Sequence, residues 1–226
     1  MFGIKTENPI LRWRKTMPAS TEERIYRWAE ELIHNPDALT NLVFLALLPL
    51  QAEALYGWTN ERGLGLPRLL DESLPKPIRE ELLEEKALPR PGNNPMVEID
   101  LARVPAVSFP WKDARMLGVV EIIKTWRYHA DNHRACLYRP LGVAFFYNGL
   151  HSGSIGVLRR MGVLPAEEIN LEPAFQAGLT VAWEEGHPVA VLPTRWGRTL
   201  KEPFPHPSYG LLWALARLFW DNGVSL

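Results

Sequence analysis

Between Leu88 and Pro95 three prolines and the run Gly92-Asn93-Asn94 interrupt the chain, and the hydrophobic period changes across the break. Before it, apolar residues recur at helical spacing; after it, they first alternate at period two. A chain that switches period in this way predicts an α+β fold with its first helices set apart from a sheet. On the N-terminal side, Ser20-Thr21-Glu22-Glu23 is a capping box that opens a helix with Ile25, Trp28, Leu32 and Ile33 on one face. Asn35-Pro36 ends it, and Asp37 caps a second helix over 38–56, apolar on all sides and so central to a helical subdomain. Pro49 is expected to kink or split that helix. Residues 59–66 form a Gly-bearing loop, and a third helix covers 77–86.

Beyond the break, Val97–Leu101 reads as a strand, Pro105 and Pro110 bracket a loop, and 113–126 reads as a helix with Leu117, Val120, Ile123 and Trp126 inward. Strands follow at 135–138 and, after the Pro140-Leu141-Gly142 turn, at 143–147. A turn then leads into a helix over about 152–161 closed by Gly162, and a short strand at 168–171. Further strands are expected at 180–183 and 189–192, around Gly186, before a last helix over 209–220 capped by Ser208. The organisation expected is an irregular lead-in (1–19), a helical subdomain (20–90), an α/β module (96–172) and a C-terminal extension packing on the core (173–226).

Composition narrows the function classes. The 226 residues are 46% apolar, enough for a sizeable core, and carry nine Trp, some of them buried or lining a binding surface. A net charge of −1 with dispersed Lys and Arg neither demands nor excludes contact with DNA. The single cysteine, Cys136, excludes an internal disulfide and a multi-cysteine zinc site, and fits the cytoplasm. No apolar h-region precedes residue 15, and the most apolar run, 42–50, is short for a membrane span, so no membrane partner is expected.

The chemistry concentrates in the turn Asn148-Gly149-Leu150-His151-Ser152-Gly153-Ser154. A helix start presents unpaired backbone N–H groups and partial positive charge. Gly149 and Gly153 allow close backbone approach, while Asn148, His151, Ser152 and Ser154 add side-chain polar groups, a set suited to phosphate or carboxylate. The plainer reading is a capped helix and a tight turn. A second cluster, His129 to Arg134, contains Asp131, His133 and Arg134; these residues lie near the site, hold a metal, or form a solvated loop. Cys136 reads as a small buried hydrophobe. Trp111, Lys112 and Arg115 either reach a ligand or simply begin a helix. Arg195, Trp196 and Arg198 either contact phosphates and a base or lie in an exposed loop.

From about Val97 to Leu171, the element order and the motif Gly149-Leu150-His151-Ser152 resemble the ParB/sulfiredoxin-like fold. Pro140 stands where that family has its proline, Val143–Tyr147 where it has the hairpin strand, and Gly162 where it closes the helix. The resemblance implies a ligand phosphate near His151. Leu150 occupies the position of the sulfiredoxin cysteine, so sulfinic-acid reduction is not implied, and Leu150, His151 and Ser152 do not reproduce the Glu and Arg box of CTP-binding ParB proteins. The whole chain also resembles an uncharacterised bacterial family often met near mobile elements.

The expected function is therefore binding of a nucleotide, with Mg²⁺ from solvent or on a carboxylate such as Asp131, or of another phosphate-bearing ligand; phosphotransfer or nuclease chemistry is compatible with such a site. The alternatives are a non-catalytic scaffold with a protein partner, and a metal-dependent hydrolase built on His129, Asp131, His133 and His151.

Overall fold

The computed structural model describes residues 20–56 and 66–226. The expected lead-in (1–19) and all but the last residue of the Gly-bearing loop (59–66) lie outside them. The fold is α+β, with seven helices, the last of them C-terminal, and two sheets among the described residues. The first three helices are α1 (Thr21–Glu31), α2 (Pro36–Tyr56) and α3 (Lys76–Glu84), with a short 3-10 turn at Asp71–Ser73 before α3. Ser20 Oγ accepts the Glu23 amide at 3.1 Å, as the capping box predicts. The buried face of α1 is Ile25 and Ala29, continued by Ile33 in the turn that follows; Trp28 and Leu32 are exposed. Asn35, not Asp37, caps α2, through Oδ1 to the Ala38 amide at 3.1 Å. The helix assignment continues through Pro49. By length and composition alone Pro36–Leu55 could cross a membrane. Here it packs against α1 and α7 and leaves one stripe, including Leu45 and Leu48, exposed.

The main sheet runs β1 (Met96–Asp100), β5 (Val163–Asn170), β3 (Arg134–Arg139), β4 (Val143–Asn148), β2 (Ala106–Val107). It is mixed: β1/β5 and β3/β4 are antiparallel, while β3/β5 and β2/β4 are parallel. Its central strands are buried on both faces, which is why they read as continuous apolar runs. Cys136, Tyr138, Val143 and Phe145 meet α2 and the last helix, α7 (Pro207–Asp221), on one face. Ala135, Leu137, Ala144 and Phe146 meet α4 (Asp113–Ile122), α5 (Leu150–Arg159) and Trp126 on the other. β2 falls within the expected Pro105–Pro110 loop, and β5 is twice as long as the strand expected there.

After the short helix α6 (Glu172–Gln176), β6 (Thr180–Glu184), β7 (His187–Pro193) and β8 (Thr199–Pro203) form a second, antiparallel sheet. Glu185 and Gly186 both have positive φ, the geometry of a two-residue hairpin. α7 is capped by His206, whose Nδ1 accepts the Ser208 amide at 3.1 Å; Ser208 itself lies inside the helix. Trp213 on α7 donates to the Leu70 carbonyl and to Ser73 Oγ, so the helical part and α7 share one core with the sheet. The 88–95 segment runs over the surface beside this continuous core, held by Glu167, whose Oε2 accepts the Gly92 amide at 2.5 Å.

The helix α4 inverts the expected burial. Leu117 and Val120 are 68% and 55% exposed, and Met116 is the residue that anchors the helix. Trp126 is buried, but beyond the helix end. The apolar positions of α4 do not keep one helical stripe, and the free side of the helix faces away from the sheet.

Candidate functional site

β4 ends at Asn148, and α5 begins two residues later. Gly149 makes the junction in the left-handed region, at φ 67°. A Cβ there would lie 2.5 Å from His133 Cδ2 and 2.9 Å from the Asn132 carbonyl, so both backbone conformation and crowding require glycine. Among the described residues no side chain caps α5, and none pairs with its first-turn N–H groups. The helix starts at Leu150 rather than Ser152. It ends on Arg160, in the left-handed region at φ 48°, with Met161 N donating to Gly156 O and Arg160 N to Val157 O. That pattern is a Schellman cap with arginine where glycine is favoured. Gly162 lies beyond it, in a position that the Trp126 ring leaves no room to substitute.

A cleft of about 620 Å³ opens between α4 and this uncapped start. One wall is apolar, from Val119, Ile122 and Ile123 of α4. The other is polar, from Asn132, Asn148, Gly149, His151 and Ser152. Arg68 and Arg115 supply positive charge, and among the described residues no Asp or Glu lines the cleft. Trp111 stands at its edge, 56% exposed, with the Arg115 guanidinium 5.6 Å from its ring centre and the His151 ring also 5.6 Å away.

The two histidines have fixed roles. His151 Nε2 accepts the Lys112 amide at 3.2 Å and the Trp111 amide at 3.4 Å, so it ties the start of α4 to the start of α5. Burial, and then the Arg115 charge, lower its pKa, which keeps the ring neutral with its proton on Nδ1. His133 Nδ1 accepts the His129 amide at 2.9 Å, so the neutral ring carries its proton on Nε2, 2.7 Å from Ser152 Oγ. Burial and the neighbouring His129 hold His133 down to about 4. Ser152 Oγ in turn donates to the Gly149 carbonyl at 3.1 Å. The pair resembles a serine nucleophile with its base, but the proton points the wrong way: His133 donates and has no lone pair toward Ser152.

Asn148, Gly149, His151 and Ser152 thus come together in the cleft, with His133 directly behind Ser152. Gly153 and Ser154 turn away. A Cβ on Gly153 would lie 2.8 Å from the Phe146 ring, so that glycine serves helix–sheet packing, and Ser154 donates to the Leu150 carbonyl at 2.8 Å on the opposite side of α5. Asp131 and Arg134 are exposed and do not line the cleft. No group of three or more His, Cys, Asp or Glu able to hold a metal ion occurs among the described residues. Cys136 is buried in β3, its thiol pKa raised by desolvation. Trp196 is exposed at the β7–β8 turn, and Arg195 pairs with Glu84.

A family of unknown function (DUF6710) has a model that matches residues 18–180. The chain belongs to this family. The DUF6710 match takes in the three N-terminal helices, the whole five-stranded sheet and both walls of the cleft. No curated protein and no solved structure matches the chain. Within this DUF6710 protein the cleft residues that sequence reasoning missed are Arg68 and Asn132. Arg68 is some 80 positions from the turn, and nothing in its local sequence signals the contact.

Proposed function

We propose that the cleft between α4 and α5 binds a phosphate-bearing ligand, most suitably a nucleotide. The observation that carries this reading is the uncapped start of α5, which opens into a cleft lined, among the described residues, by two arginines and no carboxylate. Unpaired amides and the helix dipole favour an anion there, and Arg115 and Arg68 add full charges. Trp111 and the apolar wall of α4 suit a base better than bare phosphate would require. The resemblance of 97–171 to the ParB/sulfiredoxin-like fold supports the same reading. Among the described residues the cleft lining offers Mg²⁺ no protein carboxylate, so the proposed metal would arrive on the ligand's phosphates. With His133 a donor and His151 Nε2 occupied by backbone amides, the geometry favours binding over hydrolysis. A thermal-shift series with inorganic phosphate, ATP, CTP and GTP, with and without Mg²⁺, tests it. Stabilisation by a nucleotide that is lost in Arg115→Ala is expected; no shift with any of them contradicts it.

A second reading, a protein-interaction module, is favoured by the outer side of α4, where Leu117 and Val120 are 68% and 55% exposed. It predicts a co-purifying protein released by Leu117→Lys while every nucleotide shift stays absent.

A further inference from the structure

A second cavity, of about 550 Å³, lies on the other side of α5 from the phosphate cleft, between α5 and α2. Its walls are apolar, chiefly Phe44, Leu48, Leu55, Leu101 and Val157. Its size and lining fall within the range of small-molecule sites. The floor is polar in a restricted way. Ser108 and Ser154, both buried, each donate their hydroxyl hydrogen to the Leu150 carbonyl, at 2.7 and 2.8 Å. The Gln51 amide donates to the Ala106 carbonyl at 2.5 Å. The two serine hydroxyls are spent and Gln51 keeps only one N–H of its neutral amide, so the floor carries no charge to hold an anion.

The mouth is different. Arg160, the left-handed C-cap of α5, lines it with its guanidinium 4.4 Å from the Phe44 ring centre and one nitrogen donating to the Ala102 carbonyl at 2.6 Å. A non-glycine residue in this conformation is disfavoured, and such a position points to a role for its side chain. A guanidinium has five N–H donors, so Arg160 keeps several for a ligand.

We propose that this cavity binds a single-chain aliphatic carboxylate, its chain lying between α2 and α5 and its carboxylate at Arg160. The charge arrangement sets the orientation: among the described residues the only cation lining the cavity is Arg160, at the mouth, and the floor is uncharged. The site is separate from the phosphate cleft and does not depend on it.

Titration calorimetry with laurate below its micelle concentration, and with dodecanol as the uncharged chain, tests the proposal. Wild type is expected to bind laurate at one site. Val157→Trp, or Leu48→Trp if the first variant folds poorly by circular dichroism, fills the cavity and abolishes binding. Arg160→Gly suits the left-handed backbone and is expected to stay folded. It should weaken laurate about five- to tenfold while leaving dodecanol within about twofold. The proposal is overturned if neither ligand binds folded wild type, if the tryptophan variants bind laurate undiminished, or if Arg160→Gly binds laurate as wild type does.

Discussion

His133 Nε2 lies 2.7 Å from Ser152 Oγ, while the other ring nitrogen of His133 accepts the His129 amide. This direction of donation makes the pair a brace between the 129–133 loop and the start of α5. Ser152→Ala should therefore leave a buried N–H without an acceptor and lower stability by about 1–3 kcal/mol. Urea denaturation measures this. An unchanged midpoint in Ser152→Ala would mean that the bond contributes nothing.

The same histidine sets a pH dependence. His133 is held down to about 4 in the folded chain and returns to its ordinary 6.5 when unfolded. Between those values the unfolded chain binds the extra proton, so stability is complete above about pH 6.5 and falls as pH drops toward 4. The loss reaches up to ~3 kcal/mol. In His133→Gln the slope of stability against pH across this window should flatten. A slope identical to wild type would assign the effect to other groups.

Gly149 carries the junction. Gly149→Ala meets both a left-handed backbone and the His133 ring, and is expected to lower stability by about 2 kcal/mol or more. Gly197, also at positive φ but with open space around it, should respond more mildly to alanine, by about 1 kcal/mol. Paired thermal melts rank the two; equal losses would remove the role of crowding at Gly149.

Asp71 links the helical part to the sheet, accepting the Tyr138 hydroxyl at 2.7 Å in the core. Burial raises the Asp71 pKa, so its ionised form is disfavoured in the folded chain and stability declines as pH rises above the ordinary carboxylate range. Tyr138→Phe removes the donor and should lower stability by about 1–3 kcal/mol. Asp71→Asn keeps an acceptor without the charge and should remain within about 1 kcal/mol of wild type at neutral pH. Denaturant curves of the two variants compare them directly.

The fold was legible where local signals agree. Ser20 with Glu23, the aromatic run Val143–Tyr147 and the Gly186 hairpin each combine the right residue with the right period. It was not legible where tertiary contacts decide. The two-residue strand β2 is held by its pairing with β4, and no period signals it. Along α4 Met116 is buried and Val119 half-buried while Leu117 and Val120 face solvent, a split that no single apolar stripe in the sequence marks. The turn stood out because glycine and small polar residues cluster there. Its orientation did not: whether Gly153 faces a ligand or Phe146 depends on one residue of helical phase, and the helix begins two residues earlier than the sequence suggested. The arginines of the cleft come from segments distant in sequence, which only the fold brings together.

The most direct test of the account is titration calorimetry of ATP, CTP and GTP into the wild-type chain and into Arg115→Ala. The account predicts one-site binding of at least one nucleotide to wild type. Arg115 is exposed and outside both cores, so its replacement should weaken that binding about tenfold or more with an unchanged urea midpoint. Absence of binding by all three nucleotides, or equal affinity in Arg115→Ala, would contradict it.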